Sequence, residues 1–167
     1  ELGHFALILA FVVSIAQGVL PLLGAHGGKF GGQAQSVALA RPAAQTQCLL
    51  VMLAFGCLVA SFIANDFSVL NVASNSNSAL PLPYRIAASW GSHEGSLLLW
   101  VLMLNVWTLA VAAFSRHLPA PVISRILAVM GLISVGFLLF TLLTSNPFER
   151  LLPAAADGRD LNPLLQD

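Results

Sequence analysis

Within the stretch WGSHEGSLLLW, residues 90–100, His93 and Glu94 stand side by side at the border of a long uncharged run. An imidazole beside a carboxylate can move a proton or help to hold a cofactor. Trp90 and Trp100 bracket the pair with aromatic surface, and Arg85, just upstream, carries a guanidinium suited to an anionic group such as a haem propionate. By residue type, the string reads as the edge of a cofactor site. It also has a structural reading: Ser92 caps a helix that starts here, Glu94 complements the positive end of the helix dipole, and the tryptophans anchor and pack. The residues alone leave both open.

Other reactive residue types carry less. Cys48 and Cys57 are nine apart in one helical segment, which separates them by about 13 Å along the axis and turns them to opposite faces. They neither pair with each other nor form a C-x-x-C motif, and packing as small apolar groups accounts for them. The Gly-rich HGGKFGG, residues 26–32, lacks the strand-loop-helix setting and the Lys-Ser/Thr ending of a phosphate loop. His4 and His93 lie at one end of the apolar segments and His26 and His117 at the other. Either pair could face across a bundle, yet a histidine at a wet helix end needs no ligand. Paired catalytic carboxylates, a nucleophile with its base and a basic patch for nucleic acid are all missing, so no catalytic or metal-ligating residue is assigned.

The elements that must position these groups follow from composition. Hydrophobic residues make up 57% of the chain and charged ones 8%, with a mean hydropathy of +0.85. That leaves too few polar groups to clothe a soluble globule. Uncharged runs cover 5–23, 42–65, 95–115 and 126–148, each about the 20 residues that a helix needs to cross roughly 30 Å of hydrocarbon. The expected fold is an all-α integral membrane protein with four transmembrane helices. A secretory signal peptide is the alternative for the first run, but it has no basic flank before it and no small-x-small cleavage pattern after it. The chain opens without Met and stops on the polar GRDLNPLLQD, which suggests the N-terminal part of a larger helical bundle.

Loop charges set the orientation. Lys29 and Arg41 follow the first helix and Arg116 and Arg125 the third, with no acid in either loop, which predicts that these loops are cytoplasmic. Glu1, Asp66, Glu94, Glu149, Asp157, Asp160 and Asp167 fall on the other side with Arg85, Arg150 and Arg159. Both chain ends and WGSHEG should therefore face outward, toward the periplasm in a bacterial inner membrane. The expected divisions are helices one and two (1–65), an outer loop (66–94), helices three and four (95–148) and a final outer segment (149–167). The Asn- and Ser-rich part of the loop reads as hydrophilic turns. YRIAASW then puts Ile86 and Trp90 four apart and offers Tyr84 and Trp90 to the headgroup layer. This predicts a short helix at the outer surface, broken at Gly91. Ala10, Ser14 and Gly18 in helix one, and Gly56, Ala60 and Ala64 in helix two, form candidate contact stripes. Asn105, mid-helix, is expected to face another helix, either hydrogen bonding to it or serving a ligand.

NVASNSNSALPLPYRIAASWGSHEGSLLLW (71–100), RILAVMGLISVGFLLFTLLTSNPFERLLP (125–153) and the closing GRDLNPLLQD together resemble the CcmF family of cytochrome c maturation proteins, the integral-membrane component of a bacterial haem lyase. The resemblance covers essentially the whole chain, with helices one and two matching more by pattern than by motif. It implies covalent attachment of haem to apocytochrome c at the periplasmic face, through thioether bonds between haem vinyl groups and the thiols of a C-x-x-C-H segment. It also implies a CcmE-type haem chaperone, a CcmH-type protein that presents the thiols, membrane lipid and the remainder of the lyase as partners. A b-type haem in the parent is expected to reduce the haem being attached.

Family members are several times longer. Their Trp-Trp-Asp-centred haem motif and their haem-ligating histidines have no counterpart here, so haem is expected in the full-length parent and not on this chain alone. Arg85, Trp90, His93, Glu94 and Trp100 stay as candidates near the haem face. The alternative is a structural four-helix subunit of a respiratory or transport complex with no cofactor of its own.

Overall fold

The computed structural model describes residues 1–25, 33–115 and 117–159. The Gly-rich stretch with His26 and Lys29, and also Arg116, Asp160 and Asp167, lie outside the described residues. Six helices follow one another: α1 (Leu2–Ala25), α2 (Gln33–Ile63), α3 (Leu70–Asn75), α4 (Leu82–Gly91), α5 (His93–Phe114) and α6 (Ala120–Leu143). Of these, α1, α2, α5 and α6 are long and apolar enough to cross a membrane. The protein is an all-α, multi-pass membrane protein, as the uncharged runs predict. Among the described residues, extended pairing is confined to one antiparallel bridge between Val69 and Arg150.

Helix limits depart from the uncharged runs for identifiable reasons. α2 already includes Arg41 and α6 includes Arg125, so these residues are helical and not in loops. An uncharged window measures hydrocarbon, while a helix runs on until its backbone is stopped. Pro121 sits in the first turn of α6, where its missing N–H costs nothing. α6 ends at Leu143, short of the predicted 148, because the proline of Asn146-Pro147 biases the residue before it away from helix. Phe148 instead turns back so that its ring lies against Gly3 of α1. α2 closes at Asn65, whose φ of 53° is left-handed. The next N–H, of Asp66, donates to the Ser61 carbonyl at 3.0 Å.

α1 packs against α2 and α6, and α5 packs against α2, α4 and α6. Leu7, Val51, Leu58, Phe62, Leu98, Val101 and Leu138 fill the core between them. The α1 stripe is in the seam: Ala10, Ser14 and Gly18 are buried, and a Cβ on Gly131 of α6 would stand 3.0 Å from the Gly18 nitrogen. The α2 stripe is not. Gly56, Ala60 and Ala64 are exposed, and nothing lies within 4 Å of a Cβ at Gly56. α2 instead buries Ala44, Cys48, Val51, Ala54, Leu58 and Phe62. A four-residue spacing defines a row, but every helix has several rows, and the one holding larger side chains gains more dispersion energy.

Asn105 is fully buried, yet its Nδ2 donates at 2.8 Å to the Val101 carbonyl of its own helix and not to another. A side-chain bond that does cross between membrane-spanning helices is that of Gln17, from Nε2 to the Leu127 carbonyl at 2.8 Å. Cys48 and Cys57 are both free thiols.

A cap closes one end of the bundle, gathering Glu1, residues 64–92 and residues 145–159. WGSHEG and the described residues nearest both chain ends thus lie at the same end. Arg150 pairs with Glu1 at 3.3 Å and Asp66 at 3.8 Å and donates to the Ser68 hydroxyl. Backbone bonds from Leu70 to Glu149 (2.8 Å), Leu151 to Ser68 (2.9 Å) and Arg159 to Ala73 (2.7 Å) complete the clasp. The segment expected as hydrophilic turns is consequently packed: α3 buries Asn71, Val72 and Ala73, and Ser76 and Asn77 are buried after it.

Candidate functional site

The WGSHEG string forms a corner. α4 ends at Gly91, as its glycine predicts, and a single residue, Ser92, separates it from α5. Ser92 is extended, and its hydroxyl accepts from the Gly95 N–H at 3.0 Å, the N-cap bond. Glu94 lies in the first turn of α5. A Cβ at Gly95 would run into the Ser89 carbonyl, so only a bare glycine lets the end of α4 lie on the start of α5. His93 Nδ1 and the Ser145 hydroxyl are 2.7 Å apart, which ties the start of α5 to the chain leaving α6.

Beside this corner is a cleft of about 450 Å³. α3 supplies Asn71 and Asn75, the start of α5 supplies His93 and Glu94, and the segment after α6 supplies Asn146 and Glu149. Asn75 Nδ2 donates to the Asn71 carbonyl at 2.8 Å and to Asn71 Oδ1 at 3.0 Å. Asn71 Nδ2, on a side chain 5% exposed, has no acceptor. Asn146 Oδ1 accepts from the Phe148 N–H at 3.0 Å. Among the described residues neither Glu94 nor Glu149 is in an ion pair, so the cleft carries two uncompensated carboxylates. Outside it, Asp157 accepts from the Ser78 hydroxyl at 2.6 Å and from the Ser78 and Gly158 N–H groups at 3.0 and 2.8 Å. These bonds hold its carboxyl below the usual carboxylate range.

Of the five residues singled out in the sequence, His93 and Glu94 line the cleft. Arg85 is turned away: its Nε donates to the Leu80 carbonyl at 2.9 Å and its Nη1 to the Ile63 carbonyl at 3.1 Å, which caps the C-terminus of α2. Trp90, 42% exposed, lies on α4, and Trp100, 62% exposed, is two turns down α5. Asn71 and Asn75 on α3, and Asn146 and Glu149 after α6, also line the cleft and carry no sequence signal, because two segments far apart in the chain join the start of α5 there.

A haem does not fit these residues. Its propionates have the same sign as Glu94 and Glu149, the lining has one large apolar side chain, Leu70, and no Phe, Tyr or Trp ring to cover a macrocycle, and Arg85 is engaged elsewhere. Among the described residues no group of three or more His, Cys, Asp or Glu side chains is placed to hold a metal ion.

Residues 90–167 match the family model described as Cytochrome C assembly protein. The chain is 58% identical over 168 residues to the cytochrome c-type biogenesis protein CcmF of Pseudomonas aeruginosa and 55% identical over 168 residues to that of Pseudomonas fluorescens. Each match takes in 100% of this chain and 25% of the relative. The solved structure of a cytochrome c haem lyase CcmF superposes with a TM-score of 0.79 at 29% identity, over 91% of this chain and 25% of its own. The chain thus spans about a quarter of the length of the relatives it matches. A likeness that runs along its whole sequence and extends to the arrangement of its helices makes this chain a member of the CcmF family of cytochrome c-type biogenesis proteins.

Proposed function

We propose that the chain is the N-terminal portion of a membrane haem lyase, which attaches haem covalently to apocytochrome c. Its helices (1–65 and 95–148) act as scaffold, and its cap (66–94 and 149–167) borders the place where haem and apocytochrome meet. The observation that carries this reading is the 58% identity to a cytochrome c-type biogenesis protein over the full chain. The same similarity disfavours a structural subunit of a respiratory or transport complex. On this reading the protein sits in the bacterial inner membrane with both ends of the chain periplasmic. α4 lies at the outer surface with Tyr84 and Trp90 in the headgroup layer. A CcmE-type chaperone supplies haem, a CcmH-type protein presents the thiols, and the haem ligands come from parts of the full-length protein beyond these 167 residues. Arg85, Trp90, His93, Glu94 and Trp100 then stand near the haem face as supporting residues and not as iron ligands.

The test is cytochrome c maturation in cells whose full-length protein carries His93→Ala or Glu94→Gln, read as covalent haem on the cytochrome and normalised to protein level. At least one variant should lose maturation severalfold. Equal, undiminished maturation in both would leave His93 and Glu94 only the capping and anchoring role.

A further inference from the structure

Two faces of α5 differ in kind. Val101, Asn105 and Thr108 are buried against the bundle. On the opposite side Trp100, Met103, Trp107 and Phe114 follow one another at steps of three, four and seven residues, which makes them one row along the helix. They are 62%, 47%, 68% and 81% exposed, and α5 is the least buried of the four spans. Depth sets this row apart from an ordinary lipid-facing one. The uncharged run here is 95–115, so at 1.5 Å per residue Trp100 lies about 8 Å and Trp107 about 18 Å below its outer end. Trp107 is thus near the middle of a hydrocarbon layer roughly 30 Å thick. Tryptophan favours the two membrane surfaces, where its ring meets apolar chains and its indole N–H meets water. Near the midplane that donor finds no water, and acyl chains have no acceptor to offer.

Two further observations bear on what covers the row. The region that matches the family model starts at residue 90, so α5 is the first span inside it, while α1 and α2 stand outside. The match to the Pseudomonas aeruginosa relative takes in 25% of that protein, so most of its length lies beyond the part seen here.

We propose that the Trp107 face of α5 is covered, in the full-length protein, by a membrane-spanning helix from outside these 167 residues. That helix has small residues opposite the tryptophans and a side-chain oxygen, on a hydroxyl or an amide, that accepts from the Trp107 indole N–H. Large rings on one helix fit a neighbour closely only where the facing row is small. The acceptor is a side chain because the carbonyls of a spanning helix are already bonded within it. The row is then a seam between this bundle and the rest of the protein. The proposal goes beyond the haem-lyase reading and does not depend on it; it needs only membership in the family.

The experiment uses the full-length protein in its native membrane, with the photo-crosslinker p-benzoylphenylalanine in place of Trp107 and, separately, of Met103. After irradiation the adducts are mapped by mass spectrometry. Both positions should attach to one and the same membrane-spanning segment outside residues 1–167. Adducts with lipid alone, with a separate polypeptide or with the helices α1–α6 overturn the proposal. A second measurement decides independently of photochemical yield. Trp107→Ala in the full-length protein should lower the midpoint of unfolding in detergent by several degrees, and Trp107→Phe, which keeps a ring but loses the donor, should lower it less. An unchanged midpoint in Trp107→Ala overturns the proposal, because a ring that faces only lipid or detergent leaves no hole behind. Maturation activity is not the readout, so failure here leaves the haem-lyase reading standing.

Discussion

In the bundle, Ser14, Ser61, Asn105, Thr108, Ser124 and Thr141 return their side-chain hydrogen bonds to carbonyls three or four residues back in their own helices. In the cap, Ser78 reaches Asp157 across 79 residues, and Arg150 reaches Ser68 across 82. The contrast reflects the solvent each region is built for. Within the hydrocarbon layer, a polar side chain packed inside the bundle is safest when its partner is local, because a partner lost there is not replaced by water. The helices are therefore held by close approach, as where Gly18 of α1 meets Gly131 and Leu132 of α6. Above the lipid, long-range polar and ionic bonds can join distant segments, since water covers any partial mismatch. Steric change should thus break the bundle, while loss of a hydrogen bond or a shift in pH should act on the cap.

The largest effect is expected in the seam. Gly131→Leu would push α6 off α1, since even a Cβ there lies 3.0 Å from the Gly18 nitrogen. The expected loss is about 3 kcal/mol, the upper end for overpacking. It would be read as a lowered midpoint of unfolding in detergent or lost protein level in membranes. Gly56→Leu adds the same side chain where a Cβ meets nothing within 4 Å and should leave the midpoint unchanged. Equal losses at the two glycines would remove the distinction between the stripes.

Ser92→Ala takes the N-cap acceptor from the Gly95 N–H at the cap–bundle junction, at a cost of about 1 kcal/mol. Reduced hydrogen-exchange protection in the first turn of α5, with the α1–α6 seam unaffected, is the expected signature. If protection fell along the whole of α5, the junction would belong to the bundle. A smaller change is expected for Gln17→Leu, which removes the bond to the Leu127 carbonyl. Interhelical side-chain bonds in membranes average about 0.6 kcal/mol. A loss of several kcal/mol in the same unfolding assay would mean that the seam depends on hydrogen bonding and not on close approach.

These regions also differ in how far the sequence announces them. Four spans could be read from uncharged runs because hydrocarbon tolerates little else. The Gly91 stop, the Ser92 cap and Glu94 in the first turn were legible because each acts within a few residues. The α2 stripe misled: Gly56, Ala60 and Ala64 have the right spacing, but spacing does not say which row a neighbour will fill. Asn105 was placed inward correctly, yet its partner was its own helix. The cleft was half legible. His93 and Glu94 stood out as charge against an apolar run, whereas Asn71 and Glu149 meet only because Leu70 bonds to the Glu149 carbonyl across the clasp. That pairing leaves no local pattern.

The smallest effect isolates the cap by acidity. Asp157 has a depressed carboxyl pKa, caused first by the Ser78 hydroxyl and then by the Ser78 and Gly158 N–H groups. A group whose pKa is lower folded than unfolded stabilises the fold above its unfolded value, and that stability is lost as pH falls through the folded value. Acid below about pH 4 should therefore release this contact. Gly18 and Gly131 carry nothing that titrates, so the seam should not respond through the same range. Protection of the Ser78 and Gly158 amides, taken relative to the intrinsic exchange rate at each pH, should fall in acid while protection along the α1–α6 seam stays flat. In Asp157→Asn this pH dependence should vanish, with protection at these amides lowered at every pH because the ionised acceptor is gone. A pH response persisting in Asp157→Asn would mean that another acid holds the clasp, and the pair of Arg150 with Glu1 and Asp66 would be the next to neutralise.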